Sequence, residues 1–378
     1  MNKGGYKNCI DLTQQFRFCG NAFRVDTYKG CSYGCKYCFA NSNQTLYHND
    51  GLATCDINDF KKYFSKAFDN DKPTNNRIVE CLRHKVPLHC GGMSDPFQKI
   101  EFELHLTYQL IELSNKYEYP IIFSTKTASF PEEYFKILDP KFHAFQSSIM
   151  GWSDEYIRKY ETNTPMASER AKFVASLRER GFWCGVRIQP CINLNEVLEL
   201  VDHLKDIPSY YTVEHLKIPV DNETVKALFK DEYQNIGFCR SQNNVRNIEI
   251  QPNIKKSNIK AIQELANSYG VLVGVGDNDL HYLSQSRCCC GIDTIGESFD
   301  NWLKYNLTYF ITGDVEDDLW MPKCNLASCF YSGTRMNSKV DAKEATNKYI
   351  RDNKDLVPKE DREKVSKITG VNFTKQLF

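Results

Sequence analysis

Apolar runs of strand length alternate with longer stretches of helical period from residue 22 to about residue 220. The runs Phe23–Thr27, Val86–Gly91, Ile121–Thr125, Ala144–Met150, Phe182–Pro190 and Leu216–Val220 predict strands, each followed by a polar turn. Between them, Asp56–Asp69, Glu101–Tyr117, Glu132–Leu138, Ala167–Arg180 and Asn195–Asp206 predict helices. Right-handed crossovers return each strand to the same direction, so the repetition implies a parallel sheet with helices outside. The expected fold class is α/β, a partial or full TIM-like (β/α) barrel with a cysteine-rich C-terminal extension. Beyond residue 220 the alternation weakens, although Asn247–Gln251, the helical Lys255–Tyr269 and the strand-like Val271–Val275 extend the repeat. From about Arg287 the texture changes to clustered cysteines and then a charged, helical tail. The expected division is an N-terminal segment 1–21, a barrel core with its extension 22–285, and a cysteine-rich region 286–378.

Composition narrows the classes. The 378 residues, 41% hydrophobic, are enough for a large core in one domain or two. Lys and Arg number 48, as do Asp and Glu, which excludes a general attraction to nucleic acid or acidic membrane. No apolar run approaches the roughly 18 residues of a membrane helix, and no apolar leader precedes Cys9. A cytosolic location without a membrane partner is expected. Sixteen cysteines are many for a compartment that keeps thiols reduced, and they point to metal or redox chemistry.

Cys31, Cys35 and Cys38 form a CxxxCxxC triplet just after the first predicted strand. Three thiolates can hold three irons of a [4Fe–4S] cluster and leave the fourth open to a ligand. Reactive residues of (β/α) barrels sit at strand C-terminal ends, where this loop falls. A structural zinc site favours paired CxxC spacings and needs a fourth ligand, for which Cys19, His48 and Cys55 are loosely placed. Disulfides suit small secreted domains better than a chain of this size.

Other stretches carry further chemistry. Asp26-Thr-Tyr-Lys-Gly-Cys-Ser-Tyr-Gly-Cys-Lys-Tyr-Cys-Phe-Ala40 sets Tyr37 before the last cysteine of the triplet. Gly91-Gly-Met-Ser-Asp-Pro-Phe-Gln98 ends the second strand, with Glu101 following, and Ser124-Thr-Lys126 ends the third. Glu161 to Pro165, Arg170 and Gly181 lead to the fifth strand. Over about residues 22–220 these motifs resemble the radical S-adenosylmethionine superfamily, and more closely its spore photoproduct lyase-like branch. The resemblance implies a [4Fe–4S] cluster that binds S-adenosylmethionine, donates one electron and yields a 5′-deoxyadenosyl radical that abstracts hydrogen. It also implies a one-electron donor of flavodoxin or ferredoxin type as partner. Gly91 and Gly92, lacking Cβ, would admit the methionine moiety, or simply form a tight turn. Lys126 suits a carboxylate, or is a surface lysine. Ser94, Asp95, Ser147 and Ser148 could bond the cosubstrate, or form turns. Arg187 in an apolar strand needs a partner, either a carboxylate ligand or a structural ion pair.

Two features depart from that branch. Its lesion-repairing members carry a hydrogen-donating cysteine two residues before the Ser-Asp pair, where this chain has Gly92. Cys90 lies on the same strand face about 7 Å further along and is the candidate donor, with Cys184, Cys191 or a tyrosine as alternatives. Cys288, Cys290, Cys324 and Cys329 are candidate ligands of an auxiliary iron–sulfur cluster or zinc, two of the three adjacent cysteines serving; buried small hydrophobes are the plain alternative. Asp277 to His281 would form a polar loop near the substrate entrance. The tail from Lys339 holds ten Lys/Arg against seven Asp/Glu, too mixed for a phosphate footprint. Tyr33, Phe97 and Phe130 could stack a base. The substrate stays open between a nucleobase, nucleotide or nucleic acid and a peptide or small metabolite. A noncatalytic, zinc-stabilised binding module is the reading from another class.

Overall fold

The computed structural model describes residues 9–12, 21, 23–38, 40, 53–74, 76–219, 223–232, 237–240, 247–277, 280, 283–286, 288–305, 363 and 366. The strands along the chain are β1 (Ile10–Leu12), β2 (Phe23–Val25), β3 (Tyr28–Lys29), β4 (Ala53–Thr54), β5 (Leu88–Cys90), β6 (Ile121–Thr125), β7 (His143–Ser148), β8 (Cys184–Cys191), β9 (Tyr210–His215), β10 (Lys217–Pro219), β11 (Phe238–Arg240), β12 (Asn247–Ile250) and β13 (Val273–Val275). The main sheet has eight strands in the order β1-β2-β5-β6-β7-β8-β9-β13. β1 is antiparallel to β2, and every other neighbouring pair is parallel. The N-terminal segment thus contributes an edge strand.

The helices are α1 (Ile57–Phe68), α2 (Arg77–Arg83), α3 (Glu101–Leu104), α4 (Leu106–Tyr117), α5 (Glu132–Ile137), α6 (Asp154–Tyr160), α7 (Ala167–Glu179), α8 (Leu194–Leu204), α9 (Glu223–Leu228) and α10 (Pro252–Ser268). α1 illustrates why they form: Asp56 caps its N-terminus by accepting from Asn58 N–H, and Phe60, Phe64 and Ala67 at helical spacing make its buried face. The stretch expected as one helix from Glu101 divides at His105, whose φ is +55°. The buried Glu101 carboxylate accepts from the N–H groups of Thr107 (2.9 Å) and Tyr108 (2.8 Å), so it caps α4 and a second helix starts there.

Alternation along the strands divides the sheet into two faces. Phe23, Leu88, Phe123, Phe145, Val186 and Val213 join the helices in the main core. Ile122, Ala144 and Tyr210 point to the opposite face and pack with Cys288, Cys289, Cys290, Ile292, Phe299 and Trp302. Helices on one face and a plug on the other are what a partial barrel requires, and this one is TIM-like in strand direction.

The pattern misplaced two elements. Leu216–Val220 was expected as the sixth barrel strand, but that place is taken by β9, and β10 belongs to a small antiparallel sheet ordered β10-β12-β11. The polar Glu214 and His215 interrupt the apolar run, although both have partners in the fold. Asn247–Gln251 likewise joins the small sheet as β12, whereas the Val271–Val275 stretch does extend the barrel as β13 beside β9.

A buried ion pair fastens the end of β9 to the loop after β13. His215 Nδ1 lies 2.6 Å from Asp277 Oδ2, both side chains fully buried, and Asn258 Nδ2 on α10 is 3.3 Å from His215 Nε2. Asp277 therefore sits in the interior and not on an entrance loop; Asn278, Asp279 and His281 lie outside the described residues. Burial alone would lower the His215 pKa, but Cys191 and Asp277 raise it from 6.5 to about 10. Burial alone would raise that of Asp277, but His215, Lys217 and Lys255 hold it at about 2. A raised histidine pKa stabilises the fold fully below pH 6.5 and loses that contribution as pH climbs through about 10. Urea unfolding of Asp277→Asn against wild type should therefore show a deficit of about 3–5 kcal/mol near pH 6 that narrows toward pH 10. A deficit that stays flat across that range would contradict a charged pair.

Candidate metal and cofactor site

The loop carrying Cys31, Cys35 and Cys38 is held from two sides. The buried Gln98 side chain donates Nε2–H to Gly30 O (3.0 Å) and accepts from Ser32 N–H (2.9 Å). On the other side Lys36 N–H donates to Tyr160 O (2.9 Å), Asn163 N–H donates to Tyr33 O (3.2 Å), and Cys35 forms an antiparallel bridge with Glu161. Cys35 is buried, while Cys31 and Cys38 are part-exposed.

Burial pushes the Cys31 thiol up to about 11, with Asp95 and Cys38 adding to the effect. Cys35 rises to about 12, chiefly through burial, partly countered by Lys126 and reinforced by Glu161, Cys38 and Cys31. Each thiolate is thus disfavoured partly by its fellows, a conflict that a bound cation removes. The three sulfurs are not drawn as close together as those of Cys288, Cys289 and Cys290, the trio of metal-type donors that lies within 4.8 Å among the described residues. Of the loosely placed fourth ligands, Cys55 contacts Cys9 in the core, and Cys19 and His48 lie outside the described residues.

Beside the loop, one carboxylate gathers the charges of the site. Glu161 is fully buried and accepts from Tyr37 Oη–H, Lys126 Nζ (2.8 Å), Arg170 Nη2 (2.7 Å) and Thr164 Oγ1 (3.0 Å). Burial would raise its pKa, but Arg170 and Lys126 hold it at about 2. Arg170, on α7, also donates Nη1–H to Ser148 O (2.5 Å) at the end of β7. Lys126 lies 5.6 Å from the Tyr37 ring centroid, so the lysine after β6 and the tyrosine of the cysteine loop form one unit.

The strand-end residues divide by what they touch. Gly91 has φ +102°, and a Cβ there would meet Ser124 O at 2.3 Å and Pro96 Cδ at 2.8 Å, so the neighbouring strand itself requires glycine. At Gly92 a Cβ would meet only His89 ring atoms, at 3.7 Å or more. Ser94 donates Oγ–H to Tyr28 O (2.6 Å). Asp95, its pKa raised to about 6 chiefly by burial, accepts from Phe97 N–H, Thr125 Oγ1–H and Lys126 N–H. Ser94 and Asp95 thereby brace the loops around the site. Ser147 alternates with Phe145 toward the helices, whereas Ser148 and Arg187 face the interior of the sheet. Arg187 contacts Gln189 and Glu214 (3.4 Å), the ion-pair alternative from the sequence.

Cys90 packs in the main core beside Val25 and Phe123, and burial holds its thiol well above the usual range. Phe97 and Phe130 are core residues with ring centroids 4.4 Å apart, and Tyr33 is buried, so these aromatics do not form an open stacking platform. Cys184 and Cys191 also belong to the main core. Cys324 and Cys329 lie outside the described residues. Gln98 and an interior chain of His89, Ser124 and Gln146, with contacts of 2.7 and 3.2 Å, were not anticipated as site residues. Gln98 and Ser124 stand at the ends of the two strand-end motifs without having been given a role, while His89 and Gln146 carry only the signal of polarity within buried runs.

No protein-family model matches the chain. It is 23% identical over 197 residues to uncharacterized proteins of Mycobacterium bovis and Mycobacterium tuberculosis, covering 49% of this chain and 53% of theirs. The chain thus spans about half the length of the curated relatives it matches. Among solved structures it is similar to spore photoproduct lyase complexed with dinucleoside spore photoproduct, with TM-score 0.47 and 15% identity over 70% of this chain and 77% of that one. It is also similar to a radical S-adenosylmethionine methyltransferase from Kitasatospora setae, with tryptophan substrate and an analogue of S-adenosylmethionine bound, at TM-score 0.46 and 10% identity over 74% and 59% of the two chains.

The two glycines give a paired expectation in thermal or urea unfolding. Gly91→Ala should cost more than about 1 kcal/mol, because both φ and the Ser124 carbonyl oppose it. Gly92→Ala should stay within about 0.5 kcal/mol of wild type. Equal effects would refute the assigned close approach at Gly91.

Proposed function

We propose that the chain is a radical S-adenosylmethionine enzyme in which Cys31, Cys35 and Cys38 ligate a [4Fe–4S] cluster. The observation that carries this reading is the cysteine loop itself: three thiols in CxxxCxxC spacing on a braced loop at the C-terminal edge of a parallel sheet. When bound, the cluster would supply the electron that cleaves S-adenosylmethionine to a hydrogen-abstracting 5′-deoxyadenosyl radical.

The chain's own residues supply position and exclusion of water. Lys126 is 14% exposed and pinned by Glu161, so its ammonium is preoriented to share a carboxylate of the cosubstrate. Tyr37, directly before Cys38 in the loop, is fixed by the same carboxylate. The plug built by Cys288 to Trp302 covers the N-terminal part of the interior, which favours approach from the strand C-terminal ends.

The interior is lined by His89, Ser124, Gln146, Arg187, Gln189 and Glu214, which favours a polar substrate read by hydrogen bonds over one held by stacking. Such groups suit a nucleobase or nucleotide, and equally a polar peptide segment. Repair by the donor cysteine of the resembling branch is not part of the proposal, since Gly92 occupies that position and Cys90 packs toward the helices. A reduced flavodoxin or ferredoxin would supply the electron.

The test is anaerobic reconstitution with an iron count and a 5′-deoxyadenosine assay under dithionite and S-adenosylmethionine. Wild type should bind about four irons per chain at this site and form deoxyadenosine. Cys35→Ala should lose the product and most of that iron. Zinc in place of iron, with no deoxyadenosine, would overturn the proposal in favour of a binding module.

A further inference from the structure

The plug beneath the sheet carries a second thiol constellation with a different geometry. The Sγ atoms of Cys288, Cys289 and Cys290 all lie within 4.8 Å of one another, and each of the three residues is buried. Cys288 Sγ and Cys290 Sγ are 2.8 Å apart, beyond the roughly 2.05 Å of a disulfide. Cys290 N–H donates to Cys288 Sγ (3.5 Å). The sequence alone suggested that two of these adjacent cysteines could serve a metal; the fold brings all three together.

The backbone of this tripeptide is seated by the sheet. Cys288 O accepts from Tyr210 Oη–H (3.2 Å), Cys289 O from Thr212 Oγ1–H (2.9 Å) and Cys290 O from Gln146 Nε2–H (3.0 Å). At Gly274 of β13 a Cβ would meet Cys289 O at 2.2 Å, so the strand and the tripeptide touch only because that residue is glycine. Ile122, Ala144, Trp183, Phe299 and Trp302 make the surroundings apolar. Thiolates in such surroundings are costly unless a cation neutralises them.

We propose that Cys288, Cys289 and Cys290 bind one soft divalent cation of the zinc class within the plug, a water molecule completing its four ligands, independently of Cys31, Cys35 and Cys38. A single ion with three thiolates at about 2.3 Å needs sulfurs about 3.8 Å apart, so the Cys288 and Cys290 sulfurs open by about 1 Å to admit it. The tight trio suits one ion better than a multi-iron cluster, whose thiolates sit on separate metals. On binding, three metal–sulfur bonds form and the three thiols release their protons to solvent.

The full-length chain, expressed with zinc and dialysed, is assayed for metals in wild type, in Cys31→Ser/Cys35→Ser/Cys38→Ser and in Cys288→Ser/Cys290→Ser. The expected result is about one zinc per chain in wild type and in the first variant, and a loss of about tenfold or more in the second. Zinc that follows Cys31, Cys35 and Cys38, or iron–sulfur absorption that survives the first variant and vanishes in the second, overturns the proposal. Should the second variant fail to fold, cobalt substitution of the first variant decides: thiolate-to-cobalt charge-transfer bands at one ion per chain support the site, and their absence refutes it. A zinc-loaded plug alongside a cysteine loop that takes up no iron on anaerobic reconstitution would sink the proposed enzymatic function and leave this site standing.

Discussion

The carboxylate of Glu161 is the constraint on which the site depends. It is fully buried, which for an ion costs several kcal/mol, and it is offset by two cations and two hydroxyl donors. Those partners come from the cysteine loop, the end of β6, the α6–α7 connection and α7, and Arg170 reaches on to the end of β7. One ion thus ties together elements far apart in sequence. Because a half-satisfied buried network is worse than an apolar one, the arrangement also selects against alternative positions of the loop. Holding a loop this way matters most for a group of thiols whose thiolate forms repel one another until a cation arrives.

The sheet turns this local constraint into a directional molecule. Its helix-facing residues are mostly apolar, while its other face changes character along each strand. Ile122 and Ala144 near the strand starts give way to Ser124, Gln146 and Ser148 toward the ends. The same change runs from Gly185 through Arg187 to Gln189 on β8. An apolar plug can therefore bind the floor, and polar chemistry is confined to the strand C-terminal edge, next to the cysteine loop. The period of two along a strand makes this division obligatory, because a one-residue slip would bury Arg187 and Gln189 under helices.

Much of this was legible in the chain. Ile121–Thr125 reads as a strand because all five residues are buried, and a parallel strand covered on both faces is a continuous apolar run. The cysteine loop was legible from spacing, and Lys126 from its place after a strand. β9 was not, because Glu214 and His215 read as loop residues until their partners Arg187 and Asp277 are known, and those lie 27 and 62 positions away. α6, missed from periodicity, is only seven residues long, too short for a repeating apolar face. Glu161 and Arg170 were visible as a motif, but their contact with Tyr37 and Lys126 is a tertiary fact. The aromatic side chains Phe97 and Phe130 misled in the opposite sense: a loop position suggested a stacking surface, and packing took them into the core.

The two cysteine groups show why sequence spacing underdetermines metal chemistry. In the loop, intervals of four and three residues set three thiols within one short segment of chain. In the plug, consecutive residues would normally point their side chains apart. They converge only because the three carbonyls are drawn to Tyr210, Thr212 and Gln146 and the backbone is bent to suit. The loop therefore encodes its thiol pattern locally, although Gln98 and Glu161 fix its position, and a short peptide already contains that pattern. The plug encodes nothing until the barrel exists, since its geometry is borrowed from strands up to 144 residues away. A site of the first kind offers its thiols as soon as the loop forms, whereas the thiols of the second kind converge only once the sheet is in place, so the cation proposed there would add to stability late in folding.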